Sequence, residues 1–112
     1  MRKVLIALAG DDVAPRFDLA LEALVAGIDE HGAIRDERTI ILNEASAESL
    51  CNLILSQAAE VVVCCGIQEE HYQYLTWKKV QVYDSVAGPA AEVLRRLADG
   101  TLRSGDILLE KT

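Results

Sequence analysis

The sequence predicts one α/β domain, a mixed sheet with helices on both faces. Three observations predict it. The chain has 112 residues, room for one core and not two. Its apolar share is 51% while aromatics supply only 4%, so the core must be built from Val, Leu, Ile and Ala. The order of apolar runs reads strand, strand, strand, helix, strand, helix, strand, helix, which joins a meander to parallel crossovers.

Lys3 to Ala9 is a β-rich apolar run that ends on Gly10-Asp11-Asp12, a central strand entering a loop. The loop runs to Asp18 and places Pro15, Arg16 and Asp18 where a scaffold presents functional groups. Leu19 to Ile28 has high helix propensity, yet Asp29-Glu30-His31-Gly32 reads as a hairpin turn and Ile34 to Leu42 as a strand with Ile34, Arg38, Ile40 and Leu42 in one register. A hairpin needs two strands, so Glu22 to Asp29 is predicted as the second. Asn43 to Ala59 is the clearest helix, with Asn43 or Ser46 as N-cap and Leu50, Leu53, Ile54 and Ala58 at helical spacing. Val61 to Cys65 is a continuous apolar run ended by Gly66, a strand covered on both faces. Ile67 to Trp77 reads as a short helix, Val80 to Tyr83 as a short strand, and Val86 to Leu97 as a closing helix stopped near Gly100. The domain is drawn over 1–103, with 104–112 as a tail.

A net charge of -7 repels a phosphate backbone, and the basic residues are scattered, so nucleic acid is not an expected partner. No apolar run reaches the length of a signal-peptide core with a cleavage site or of a membrane span, so a cytoplasmic protein without membrane association is expected. Cys51, Cys64 and Cys65 are an odd set with two adjacent in a strand, the pattern of reduced thiols rather than of a disulfide framework.

The element order, the loop Val13-Ala14-Pro15-Arg16-Phe17-Asp18, the step Cys65-Gly66-Ile67 and the ending Ala91 to Leu102 together resemble the dinitrogenase iron-molybdenum cofactor biosynthesis domain over nearly the whole chain. The resemblance implies a ribonuclease H-like fold, with a five-stranded mixed sheet whose second strand is antiparallel. It also implies a protein that binds or carries an iron-molybdenum or iron-sulfur cluster, with cluster-assembly proteins as partners. The segment after the fourth predicted strand, glycine-rich in that family, keeps Gly66 alone here, and Tyr72 to Trp77 follows it with an aromatic run.

Thiolate and imidazole are the ligands expected of iron-sulfur or zinc sites, which makes Cys64, Cys65 and His71 the candidate metal contacts. Neighbouring residues in a strand point to opposite faces, so one pocket takes both cysteines only where the strand has ended. The plainer reading makes both cysteines small buried hydrophobes. Asp11, Asp12, Arg16, Asp18 and Gly66 are the candidate ligand-binding set, in which Arg16 contacts a small anionic ligand or pairs internally with an Asp.

A nuclease of this fold would hold divalent ions on carboxylates, and Cys64-Cys65 stand where such a carboxylate is needed. Cysteine nucleophilic catalysis with His71 as base is weaker than binding as a reading. The expected function is a non-enzymatic binding or carrier module. The alternative is a protein-interaction or regulatory module, open to homodimerisation, that docks a partner through Tyr72 to Trp77.

Overall fold

In the computed structural model, which describes residues 1–108, the apolar runs become strands β1 (Arg2–Ala9), β2 (Asp12–Val13), β3 (Glu22–Ile28), β4 (Ile34–Ile41), β5 (Val61–Val63) and β6 (Gln81–Tyr83). The helices are α1 (Ala47–Ser56), α2 (Glu69–Trp77) and α3 (Ala90–Ala98), with a short 3-10 turn at Phe17–Leu19. The sheet order is β4-β3-β1-β5-β6, with β2 paired to β1 off that path. β1 runs parallel to β5 and β5 parallel to β6, while β3 is antiparallel to both β1 and β4. The sheet therefore has six strands and not the five expected. The additional one is β2, a two-residue ribbon formed where the chain doubles back on β1 and pairs Leu8 with Val13 and Ala9 with Asp12. Gly10, at φ +63°, makes that reversal without the steric penalty a side chain would meet.

The pleat of β1 divides the core. Val4, Ile6 and Leu8 face α3 and pack with Val61, Val63, Val93, Leu94 and Leu97, while Leu5 and Ala7 face α1 and α2 with Val62, Leu50, Ile54 and Leu75. β3 alternates in the same way, Leu24, Ala26 and Ile28 to the α3 face and Ala23 and Val25 to the other. Strand partners on both sides satisfy its backbone, and this outweighs the helix propensity of its Leu and Ala.

The single register expected for Ile34, Arg38, Ile40 and Leu42 is broken. The β3–β4 pairing shifts between Val25 and Gly27, and Asp36 takes a positive φ of 54°. The inserted residue reverses the alternation, so Ile34 stands opposite Ile28 of the α3 face while Ile40 packs toward α1. The preceding turn is held by Asp29, whose carboxylate accepts from the N–H groups of His31 and Ala33 and from Arg35. The Ala33 N–H, then Arg35, holds this carboxyl below its usual range.

Ser46 is the N-cap of α1, its Oγ accepting from the Ser49 N–H at 3.0 Å, so the helix starts later than an Asn43 cap would place it. α3 also begins late. Gly88 has φ +124° and Pro89 is extended, so Val86 to Gly88 form a loop and not the first helical turn expected there. Beyond residue 103 the described chain still touches the fold. Ala87 N–H donates to the Asp106 carbonyl at 3.0 Å, Leu108 N–H donates to Ala87 at 2.8 Å, and Leu108 is buried in the α3-side core. Within 104–108 Leu108 is anchored while Ser104, Gly105 and Ile107 are exposed, and the rest of the expected tail lies outside the described residues. Among the described residues, no helix is long and apolar enough to cross a membrane.

Candidate functional site

β1, β5 and β6 are parallel, so the loops that follow them emerge at one end of the sheet, where open α/β sheets bind ligands. Two of these loops are joined by backbone hydrogen bonds. Gly66 N–H donates to the Pro15 carbonyl at 2.9 Å, and Phe17 N–H donates to the Gly66 carbonyl at 2.7 Å. A Cβ at Gly66 would stand 2.9 Å from the Pro15 oxygen, so this close approach is what requires glycine there. Below the junction Phe17 is fully buried, and the His71 ring stacks on it at 6.1 Å between centroids and 27° between planes.

The three candidate metal contacts do not come together. Alternation continues past the end of β5, so Cys64 is sealed in the α1/α2-side core at 0% exposure, while half-buried Cys65 packs against the α3-side core. Burial, then the charges of Asp84 and Cys65, push the Cys64 thiol up to about 12. A thiol held protonated is a poor ligand and a poor nucleophile. His71 belongs with Phe17 on the α1/α2 side, across the sheet from Cys65. Among the described residues, no three His, Cys, Asp or Glu side chains are grouped as a metal ion would need.

The ligand-binding set is also divided. Arg16 forms a two-pronged pair with Asp18, Nε to Oδ1 at 3.1 Å and Nη2 to Oδ2 at 2.7 Å. The internal pairing is the observed one, and an incoming anion has to compete with it. Asp11 and Asp12 lie on the β1–β2 reversal. The Asp11 carbonyl accepts from Ala90 N–H at 2.8 Å and thereby ties the reversal to the start of α3. A groove of about 620 Å³ opens there on the α3 face; it shares Gly10 and Asp11 with the expected cleft but none of Cys64 to His71.

The loop after β6 completes this end of the sheet, and sequence reasoning missed it. Ser85 N–H donates to the Cys65 carbonyl at 2.9 Å, and Val86 N–H donates to Cys64 at 3.1 Å. Ser85 holds φ 58°, a conformation an L-residue adopts at a cost and one that concentrates at functional sites. The only cue in the sequence was an Asp84-Ser85 step directly after a short strand.

No family model and no curated protein matches the chain. Solved structures do match its fold. The crystal structure of the protein PH0822 superposes with a TM-score of 0.82 at 19% identity, covering 91% of this chain and 93% of that one. MJ0327 of Methanocaldococcus jannaschii, described as a candidate dinitrogenase, gives 0.73 at 22% identity, covering 89% and 90%. A Thermotoga protein, TM1290, described as a candidate NifB protein of the DUF35 family, gives 0.73 at 16% identity over 100% of both chains. Likeness at these identities establishes a shared fold.

Proposed function

We propose that this chain is a non-enzymatic, cytoplasmic carrier of the dinitrogenase iron-molybdenum cofactor biosynthesis type, with a ribonuclease H-like fold. Its cargo is a small anionic metal-sulfur cluster, taken from and passed to cluster-assembly proteins. The observation that carries the reading is the placement of Cys65, the one cysteine of three that is not buried, at the end of a central strand beside Gly66 and the strained Ser85. The antiparallel β3 between β1 and β4 fits the ribonuclease H-like order, and two fold neighbours bear dinitrogenase or NifB descriptions.

Cys65 is then the single sulfur donor this chain offers outside its core, and a single soft donor suits a carrier that must release its cargo. The non-enzymatic reading rests on dispersal: Cys64 is sealed, His71 lies across the sheet, and Arg16 is engaged by Asp18. The test offers isolated iron-molybdenum cofactor to the anaerobic protein and follows thiolate-metal absorption. Cys65→Ser is expected to lose the signal, and Cys51→Ser to keep it at one cluster per chain. Undiminished uptake by a folded Cys65→Ser protein would sink the site.

The second reading is an interaction module without cargo, favoured by the exposed end of α2. Trp77 is 71% exposed there, Tyr74 lies 6.3 Å away, and the Lys78 ammonium sits 4.8 Å over the indole. Under that reading Trp77→Ala abolishes partner binding while Cys65→Ser leaves it unchanged.

A further inference from the structure

We infer that the groove on the α3 face is a docking site for a basic, apolar-flanked segment of a partner protein. Its lining combines an apolar surface, to which Leu8, Leu24 and Ala90 contribute, with three carboxylates, Asp11, Glu22 and Glu37. Among the described residues no Lys, Arg or His lines it. At about 620 Å³ it falls within the size range of ligand sites and takes a few side chains of a segment laid along it.

Among the described residues Asp11, Glu22 and Glu37 share with Asp12, Asp36, Glu48 and Asp84 the lack of a side-chain partner, and these three line the groove together. Asp18, Asp29 and Glu92 each hold an arginine, whereas Asp11, Glu22 and Glu37 have no side-chain hydrogen bond or ion pair among the described residues. Carboxylates set beside an apolar surface complement a cationic side chain. Arg and Lys suit such a site in both their parts, since the aliphatic stem covers apolar surface while the head meets carboxylate.

Other occupants fit less well. A divalent ion needs converging ligands, and the carboxylates do not form such a group. An anion is repelled by the same three charges, and the Ala90 N–H at the start of α3 is already taken by the Asp11 carbonyl. A free polyamine would leave the apolar lining uncovered. It would also leave bare Ile41, 76% exposed on β4 opposite Glu22, which extends the apolar surface beyond the groove. A peptide segment covers both. The inference is independent of what, if anything, binds at Cys65.

The test titrates the full chain, labelled for amide NMR, with a synthetic Gly-Leu-Arg-Leu-Arg-Leu-Gly peptide and with its counterpart in which both arginines are glutamine. Expected are amide shifts concentrated at Leu8 to Asp11, Glu22 to Leu24, Glu37 to Thr39 and Ala90 to Ala91 for the arginine peptide alone. A Glu22→Gln, Glu37→Gln protein with an otherwise unchanged spectrum should bind it roughly tenfold more weakly. Asp11→Asn should weaken it separately, which keeps the test decisive if the double variant misfolds. Absent binding, equal binding of the glutamine peptide, shifts mapping elsewhere, or undiminished affinity in the charge variants would each overturn the inference. Spermidine binding as tightly at the same residues would replace it with a small-cation site.

Discussion

The two faces of the sheet are closed differently, and two consecutive cysteines report the difference. On the α1/α2 face, Phe17, Leu50, Ile54 and Leu75 are sealed, His71 lies over Phe17, and Cys64 has no access to solvent. On the α3 face the single helix leaves a groove toward β3 and β4, and Cys65 stands at its side of the sheet, half-buried. One step along the chain just past β5 thus separates a sealed thiol from a half-buried one. Both faces carry a buried core, and two helices with a folded loop cover one of them. Covering by one helix leaves a groove open on the other.

The strongest way to break this contrast is to open the closed face. Phe17→Ala removes a ring that is 1% exposed and on which His71 rests, and should destabilise the protein by about 3–5 kcal/mol in urea unfolding. The same variant should bring Cys64 into reaction with a thiol reagent that reaches only Cys65 in the parent.

Alkaline pH sharpens the contrast by a smaller step. Cys64 is raised to about 12 from an ordinary 9.0, so above pH 9 the native state keeps a proton that the unfolded chain has lost. Stability is therefore full below pH 9 and falls from there toward pH 12, by about 1.4 kcal/mol per pH unit. Cys51, also raised by burial, adds to the slope, and Cys64→Ala should remove most of it in denaturation curves taken from pH 8 to 11.

The smallest effect is expected at Arg16. Its pair with Asp18 is largely solvated, with the arginine side chain 57% exposed, so Asp18→Asn should change stability by at most about 1 kcal/mol. The backbone bonds through Gly66 hold that loop, and thermal unfolding of Asp18→Asn beside Gly66→Ala separates the two contributions. A larger loss in Asp18→Asn would make the ion pair the principal tie.

Elements whose pattern stands in the local sequence were legible. Val61 to Val63 could be read as a doubly covered strand because apolar side chains on both faces leave a continuous apolar run. Ser46 and the spacing of Leu50 and Ile54 marked α1 in the same way, through a cap and a period that act within one turn. β3 was legible only through its neighbour, since the turn at Asp29 implied a partner strand that its own propensity denied. The Asp36 bulge, β2 and the late start of α3 escaped because each depends on backbone geometry set by pairing with another segment.

The candidate site divides along the same line. The sequence by itself determined which chemistry the chain can offer: three thiols without a disulfide pattern, two histidines, an acidic surface, and a Pro-Arg-Phe-Asp loop after the first strand. It also showed that adjacent cysteines face apart for as long as the strand continues, because alternation is a property of the extended backbone. Only the tertiary structure decided that Cys64 is the sealed one, that Arg16 takes Asp18, that Gly66 must be bare to pass Pro15, and that Asp11, Glu22 and Glu37 share one groove. These are outcomes of segments far apart in the chain meeting in space, and no local pattern encodes which partner each will find.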